Sequence, residues 1–340
     1  MTHVLVARLD NDGDVLLAGP AIRAVAAGVD RVTLLCGPRG ARAGELLPGV
    51  DAVVTRRADW IDPEPRAFDR AAGEDWIAEL EAIGADRAIV LGSFHQSPLP
   101  LALLLRMAGV AHVAATSVDF PGSLLDVRHR IDDDVHEVER SLDLVRTLGH
   151  DLPPDDDGAL AVRRSGRRPA VLGDEPYVVV HPGASVPARA WAPWRHAALV
   201  EALTALGRRA VVTGAPSERD LTARVAGADG LDLGGETSLA DLAEVLAGAD
   251  AIVVGNTGPA HLAAAVGTPV VSLFAPTVPA VRWRPWRVPH LLLSVEVPCA
   301  GCRARACPVA GHPCLEGVEV DDVLAALERL APAEVEAIPA

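Results

Sequence analysis

One stretch of the chain, residues 251–274, restricts the fold more than any other. An apolar run at residues 251–254 is short enough for a buried strand, and a second apolar run follows at residues 270–274. Between the two runs, the sequence GNTGP at residues 255–259 predicts a tight turn that leads into a short alanine-rich helix. Two buried strands joined by a helix form a repeating unit of a parallel sheet. The stretch therefore predicts an α/β fold.

The turn before this predicted helix has the properties of an anion-binding site. A helix N-terminus presents unpaired backbone N–H groups and the positive end of the helix dipole, and both favour phosphate. The Thr257 hydroxyl stands at this end, and His261 lies one turn further along, close enough to add a donor. A capped helix with a buried histidine is the alternative interpretation.

Length and composition restrict the function classes. The chain has 340 residues, which suggests two domains, and a net charge of −15, which disfavours nucleic acid as a partner. No apolar run is long enough to span a bilayer, and a strand-like segment begins at residue 3 without a signal-peptide pattern. These features predict a cytoplasmic protein.

Strand-like and helix-like segments alternate on both sides of one interruption. This alternation at residues 3–148 and 177–330 is typical of parallel, doubly wound sheets. Between them the chain is charged and rich in Pro, Gly and Asp, which is typical of a domain boundary. We predict a first domain at residues 1–165, a second at residues 166–325, and a C-terminal helix end and tail at residues 326–340.

A glycine-containing loop follows the first predicted strand, where α/β folds usually bind ligands. It contains no GxGxxG pattern, so a dinucleotide-binding dehydrogenase is a poor fit. Asp14 could accept a proton from a hydroxyl as a general base, or it could cap a helix that begins at Val15. Asp10 and Asp12 are nearby alternatives for the base.

The run from residue 251 to residue 279 resembles the nucleotide-sugar signature of glycosyltransferase family 9, the heptosyltransferase-like enzymes, and the resemblance extends over nearly the whole chain. It implies the GT-B architecture, in which two Rossmann-like domains face a cleft and bind the acceptor and the nucleotide sugar respectively. It also implies an inverting, metal-independent transfer of a heptose-like sugar from an ADP-heptose-like donor to a glycan or glycolipid acceptor. A glycolipid acceptor would place the enzyme at the inner membrane face.

The resemblance also implies roles for individual residues. Asp14 matches the catalytic base of the family. The segment at residues 181–185, together with Arg189 where relatives often carry Lys, resembles a second phosphate-binding segment. Glu218 matches an acidic residue linked to the nucleotide ribose, although a helix start also favours Glu. At position 256 this chain has Asn where members of the family frequently have Asp. The predicted donor-binding residues are Ser185, Arg189, Glu218, Asn256, Thr257, Gly258 and His261.

Four of the five cysteines lie close together near the C-terminus: Cys299, Cys302, Cys307 and Cys314. Their C-x2-C-x4-C-x6-C spacing is compatible with a tetrahedral zinc site, and less so with an iron–sulfur cluster. Free thiols and disulfides are the alternatives. Four thiolates would leave no open coordination position, so the zinc would be structural. The chemistry that the resemblance implies requires no cofactor.

Two other functions stay open. A nucleotide-sugar epimerase on the same two-domain plan would need acid/base groups on both sides of the sugar, and only Asp14 is assigned on one side. A nucleotide-sugar-binding protein without catalysis would have no need of a general base at Asp14. Turnover of the donor with and without an acceptor distinguishes these functions from sugar transfer.

Overall fold

A computed structural model of the chain describes residues 1–332. The chain divides into two compact units, one spanning Met1–Arg163 and the other beginning at Arg164. The sequence prediction set this boundary between residues 165 and 166. The predicted tail at residues 326–340 lies partly outside the described residues. Among residues 1–332, no helix has the length and apolar composition that a membrane crossing requires.

The first unit is built on a six-stranded parallel sheet in the order β3-β2-β1-β4-β5-β6. Its strands are β1 (His3–Arg8), β2 (Arg31–Cys36), β3 (Ala52–Thr55), β4 (Arg87–Val90), β5 (His112–Thr116) and β6 (Val127–His129). Its helices are α1 (Asp12–Leu17), α2 (Gly19–Ala26), α3 (Ala41–Leu46), α4 (Arg70–Ile83), α5 (Leu99–Met107) and α6 (Glu137–Thr147). The strand order reverses between β1 and β4, and open α/β sheets bind ligands at such a reversal.

The second unit repeats this plan with the order β12-β11-β10-β7-β8-β9. Its strands are β7 (Tyr177–His181), β8 (Arg209–Val212), β9 (Leu231–Asp232), β10 (Ala251–Gly255), β11 (Val270–Leu273) and β12 (His290–Leu293). Its helices are α7 (Pro193–Ala205), α8 (Arg219–Ala226), α9 (Leu239–Ala247), α10 (Gly258–Ala265), α11 (Ala280–Trp283), α12 (Pro313–Glu316) and α13 (Val320–Leu330). Here the order reverses between β7 and β10.

The central strands are apolar on both faces because the flanking segments cover both sides of each sheet. Every residue of β1, β7 and β10 is buried. Leu5 and Ala7 of β1 pack with Trp76 and Leu80 of α4 in one core, and separate apolar residues form the core of the second unit. The predicted α/β class with two doubly wound sheets is confirmed.

The first helix begins earlier than the sequence suggested. It begins at Asp12 instead of Val15, after Asn11 in an extended conformation. Asp14 therefore lies within the first turn of α1 and does not cap it. The chain ends α1 at Leu17 and restarts as α2 with Pro20 in its first turn, where the missing N–H of proline has no cost.

Candidate active site

The end of β1 carries a buried arginine where the strand order of the first sheet reverses. Arg8 is only 1% exposed, and three carboxylates surround its guanidinium group. Its Nε lies 2.8 Å from Asp10 Oδ2, and its Nη2 lies 3.1 Å from Asp14 Oδ1. Glu137, at the start of α6, places its Oε2 3.4 Å from Nη1. Arg8 thus holds the candidate base at the reversal point of the sheet.

Residues after β4 complete this network from the other side of the reversal. Arg8 Nη2 donates to Ser93 Oγ at 2.8 Å, and the Gln96 amide donates to Asp10 Oδ1. The Asp10 side chain is 8% exposed, whereas that of Asp14 is 20% exposed. Because a general base must reach a substrate hydroxyl, this difference in exposure favours Asp14 over Asp10.

Asp12, the other alternative base, is bound to a different helix. Its carboxylate accepts hydrogen bonds from the backbone N–H of Ala43 at 3.2 Å and from Arg42 Nη2 at 3.1 Å. These bonds tie the start of α1 to α3, so Asp12 has a structural role in this geometry.

Two of the three carboxylates around Arg8, those of Asp10 and Glu137, are deeply buried. Burial raises the pKa of both Asp10 and Glu137 above their ordinary values, and the positive charge of Arg8 offsets only part of this rise. Burial alone would lower the pKa of Arg8, but the charges of Asp10, Asp14 and Glu137 raise it, so the guanidinium stays charged. Arg39 also lowers the pKa of Asp10, and Arg140 that of Glu137, but burial outweighs these cations and favours retention of a proton within the cluster.

In the second unit, the predicted donor-binding residues lie at one edge of the sheet. Strands β8, β7 and β10 are parallel neighbours, so the segments that follow them leave the same edge. Glu218 follows β8, Ser185 and Arg189 follow β7, and residues 256–261 follow β10. The structure therefore brings the two predicted phosphate-binding segments together at the reversal between β7 and β10.

The short turn Pro187–Arg189, which we call the Arg189 turn, packs directly on the end of β10. The carbonyl oxygen of Arg189 lies 3.0 Å from the position that a Cβ on Gly255 would occupy. A larger residue at position 255 would press on this carbonyl, so glycine permits the close approach. Ser185 is exposed and Arg189 is half-buried in the same segment.

The turn after β10 contains two buried polar atoms that lack a hydrogen-bond partner within residues 1–332. Thr257 precedes α10 in an extended conformation, and its hydroxyl is buried without capping the helix. Asn256 Nδ2 donates to the Ala275 carbonyl at 3.3 Å, whereas its Oδ1 is buried and unpaired. Unpaired buried polar atoms cost free energy unless water or a ligand meets them. His261 is buried one turn further into α10.

Glu218 lies over the loop that follows β7. A Cβ on Gly183 would meet the Glu218 carboxylate, so glycine at position 183 leaves room for the carboxylate at this place. Glu218 Oε2 accepts a hydrogen bond from the backbone N–H of Ala215 at 2.7 Å. The hydrogen bond to Ala215 agrees with a structural role of Glu218 just before α8, which begins at Arg219. Its position over Gly183 also keeps the carboxylate beside the predicted phosphate-binding segment at residues 181–185.

The four clustered cysteines line one small cavity of about 30 Å³, together with Thr277 and His312. All four are free, so the disulfide alternative is not realised here. Burial raises the pKa of the Cys314 thiol, and the other three thiols add to the rise. In the part of the chain that the structure describes, no group of three or more His, Cys, Asp or Glu side chains is arranged to hold a metal ion. Zinc binding stays a prediction.

Sequence reasoning missed the residues that surround Asp14. Neither Arg8 nor Glu137 was a candidate, and Ser93 and Gln96 were not singled out. A charged residue at the end of the otherwise apolar β1 was the available indication, because an arginine is almost never buried without a partner.

Comparison with known proteins agrees with this geometry. Residues 77–312 match the sequence model of "Glycosyltransferase family 9 (heptosyltransferase)". Lipopolysaccharide heptosyltransferase 3 of Escherichia coli is 30% identical over 166 residues, which cover 46% of this chain and 47% of that protein. Lipopolysaccharide heptosyltransferase 1 of Pseudomonas aeruginosa is 34% identical over 177 residues, which cover 51% and 48%. The chain spans about half the length of the curated relatives it matches.

A solved structure matches over a greater length. E. coli heptosyltransferase WaaC with ADP-2-deoxy-2-fluoro heptose superposes with a TM-score of 0.74 at 22% identity, covering 96% of this chain and 99% of that one. At this identity the likeness shows the fold, and it confirms the predicted GT-B class.

Proposed function

Because the chain belongs to glycosyltransferase family 9, the heptosyltransferase family, we propose that it transfers a heptose-like sugar from a nucleotide-diphosphate donor to a hydroxyl of a glycan or glycolipid. The donor is ADP-heptose-like, as in the solved relative that holds an ADP-heptose analogue. The observation that carries the proposal is the partly exposed Asp14 carboxylate, which a buried arginine holds where the first sheet reverses its order.

In the proposed mechanism, Asp14 acts as general base and accepts the proton of the acceptor hydroxyl. The acceptor oxygen forms a bond to the anomeric carbon while the bond from that carbon to the diphosphate breaks on the opposite face. The configuration at the anomeric carbon is thereby inverted. Arg8 orients the Asp14 carboxylate through the hydrogen bond that its Nη2 donates to Asp14 Oδ1.

The diphosphate leaves with growing negative charge, which the second unit stabilises. The Thr257 hydroxyl and the Gly258 N–H at the start of α10 bind its oxygens, and His261 and Arg189 add donors. Ser185 holds a further oxygen, and Glu218 binds the ribose hydroxyls. Asn256 keeps hydrogen-bonding capacity beside the diphosphate without adding a negative charge. The proposed chemistry requires no cofactor.

Incubation with a panel of nucleotide sugars, with and without glycan acceptors, tests this function. Sugar transfer requires that release of nucleoside diphosphate depends on the acceptor. A changed nucleotide sugar without an acceptor would indicate an epimerase instead. Thermal stabilisation without turnover would indicate a binding protein, since a ligand at one hundred times its Kd stabilises the folded state by about 2.7 kcal/mol.

Replacing Arg189 with alanine should weaken binding of the donor much more than binding of the bare nucleoside. The proposed contact is a charge-assisted hydrogen bond to the diphosphate, and such a bond contributes about 1.5–3 kcal/mol. Isothermal titration calorimetry with the nucleotide sugar and the nucleoside measures both affinities. Arg224→Ala, at an exposed position of α8, is the control. Equal losses for nucleoside and nucleotide sugar would show that Arg189 does not act on the diphosphate.

We further propose that the protein works in the cytoplasm, at the inner face of the membrane that carries its acceptor. A cavity of about 300 Å³ in the first unit supports contact with a membrane. Trp60, Phe68 and Leu103 contribute to its apolar walls, and the oppositely charged Asp59 and Arg66 also line it. Phe68 is 49% exposed and Leu103 is 48% exposed, so both can contact lipid.

Phospholipid vesicles should therefore bind the protein, and Leu103→Glu should reduce that binding. Burying a leucine side chain contributes about 1.5–3 kcal/mol, so the variant should lose at least tenfold in affinity. Co-sedimentation measures the bound fraction. Val171→Glu, at an exposed apolar position of the second unit, is the control. Failure of the unaltered protein to bind vesicles would contradict the proposed location.

We also propose that the four clustered cysteines bind one structural zinc ion, because they line one cavity and thiolates are zinc ligands. Zinc would have to draw these side chains together, since the described residues do not place three of them around one metal position. Protein purified without chelator should contain about one equivalent of zinc. Removing it should lower the melting temperature, while Asp14, which lies in the first unit, stays in place. Elemental analysis measures the metal. If the protein contains neither zinc nor iron, and the denatured protein has four titratable thiols besides Cys36, the zinc proposal is wrong and the four cysteines are free thiols.

A further inference from the structure

The loop that carries three of the clustered cysteines, residues 297–312, binds the backbone next to Arg189. We call it the cysteine loop. The N–H of Ala188 donates to the carbonyl of Arg305 at 3.0 Å, and the Ala188 carbonyl lies 3.1 Å from His312 Nε2. Ala188 is 1% exposed, so water does not replace these partners. Both polar backbone groups of Ala188 are thus bonded to one distant loop.

The Arg189 turn has little internal support. Pro187–Arg189 is a single 3-10 turn, with hydrogen bonds from Arg189 N–H to the Val186 carbonyl at 2.8 Å and from Ala190 N–H to the Pro187 carbonyl at 3.1 Å. A 3-10 turn has poorer hydrogen-bond geometry than an α-helix. The position of this turn therefore depends on the bonds that Ala188 makes to the cysteine loop.

The cysteine loop is itself anchored to the sheet edge. The N–H of Gly301 donates to the Pro276 carbonyl at 2.7 Å, and the N–H of Arg303 donates to the Thr277 carbonyl at 3.0 Å. Pro276 and Thr277 follow β11, the neighbour of β10. The loop thus connects the segment after β11 to the Arg189 turn, whose carbonyl in turn packs on Gly255 of β10.

His312 has an unusual backbone conformation at this contact. Its φ angle is 41°, in the left-handed region that residues other than glycine rarely adopt. Such a conformation persists only where surrounding contacts fix it, and it is more frequent at functional positions. Here it accompanies the hydrogen bond between the His312 ring and the buried carbonyl of Ala188.

We propose that His312 is a positioning residue for the Arg189 turn, and that the cysteine loop thereby sets the affinity for the diphosphate of the donor. The proposal rests on the proposed role of Arg189 in binding that diphosphate. The Ala188 carbonyl can only accept a hydrogen bond, so the His312 ring carries its proton on Nε2. Without this donor, the buried carbonyl has no partner, and the turn shifts to reach water. The Arg189 side chain then moves away from the diphosphate.

His312→Ala should weaken binding of the nucleotide sugar about five- to tenfold, the effect of one lost hydrogen bond at a buried carbonyl. Binding of the bare nucleoside should stay unchanged. His312→Gln should retain donor affinity, because its amide has a similar reach and can donate. His312→Asn tolerates the left-handed backbone but has a shorter side chain, so it should lose affinity as alanine does. Calorimetry measures all affinities, and circular dichroism establishes that each variant is folded.

The double variant His312→Ala with Arg189→Ala separates this inference from the function on which it rests. If His312 acts through Arg189, the double variant should bind the donor no more weakly than Arg189→Ala alone. Additive losses, or equal losses for nucleoside and nucleotide sugar, would overturn the inference. An Arg189→Ala variant that binds the donor normally would instead contradict the assigned role of Arg189.

Discussion

Replacing Asp14 with asparagine should abolish sugar transfer and leave donor binding intact. Asparagine has nearly the same shape, and its side-chain oxygen can still accept the hydrogen bond from Arg8 Nη2, but it cannot accept a proton from the acceptor. Removal of a general base typically slows a reaction by about 100- to 10,000-fold. The residues assigned to donor binding lie in the second unit, so the donor affinity should not change. Steady-state turnover and calorimetry measure the two effects.

Asp12→Asn is the matched control, because Asp12 also lies in the first turn of α1 but binds Arg42 and Ala43 of α3. It should transfer sugar at close to the normal rate. Near-normal turnover of Asp14→Asn would remove Asp14 as the base. An equally large loss in both variants would indicate that the loss reflects disruption of α1.

Replacing Arg8 with methionine should lower the free energy of unfolding by about 3–5 kcal/mol near neutral pH, because breaking a buried ion pair leaves an uncompensated charge. The variant would leave the buried carboxylates of Asp10 and Glu137 without their contact to Arg8, and Asp14 without its anchor. Urea denaturation followed by circular dichroism measures the loss. Arg70→Met, at an exposed ion pair with Glu74, should change stability by no more than about 0.5 kcal/mol.

The loss of stability in this variant should depend on pH in a defined direction. Burial raises the pKa of Asp10 and of Glu137, so the folded state holds protons at pH values where the unfolded state has released them. Their contribution to stability is therefore complete below the ordinary carboxyl pKa and is lost as the pH rises through the raised pKa. Without the charge of Arg8, both values should rise further. The difference between variant and unaltered protein should be large at neutral pH and smaller near pH ~4. A difference in stability that does not change with pH would contradict the raised pKa of Asp10 and Glu137 as its cause.

The local pattern of the sequence determined most of the regular structure. The apolar patterns at residues 177–181, 239–247 and 320–330 predict one strand and two helices, and the structure has β7, α9 and α13 at these residues. The pattern missed β6 at Val127–His129 and β9 at Leu231–Asp232, which are the strands at one edge of each sheet. Both are too short to show a period, and they form only because a neighbouring strand supplies their hydrogen bonds.

The motif at residues 251–279 also determined the family, since a single βα unit carries its characteristic residues in one continuous run. The match of residues 77–312 confirms that prediction. The roles of Asp14, Arg189 and the other assigned residues stay predictions for the experiments above.

The contacts around the assigned residues depended on the tertiary structure alone. Arg8 and Glu137 are separated by 129 positions in the chain, and Ala188 and His312 by 124. No local pattern links such residues, because hydrophobic periodicity and capping extend over only a few turns. Arg8 meets Ser93 because the strand order reverses between β1 and β4, and Ala188 meets His312 because the cysteine loop returns past β11 to the segment after β7. The order of strands in each sheet decided which distant residues came together at these two sites.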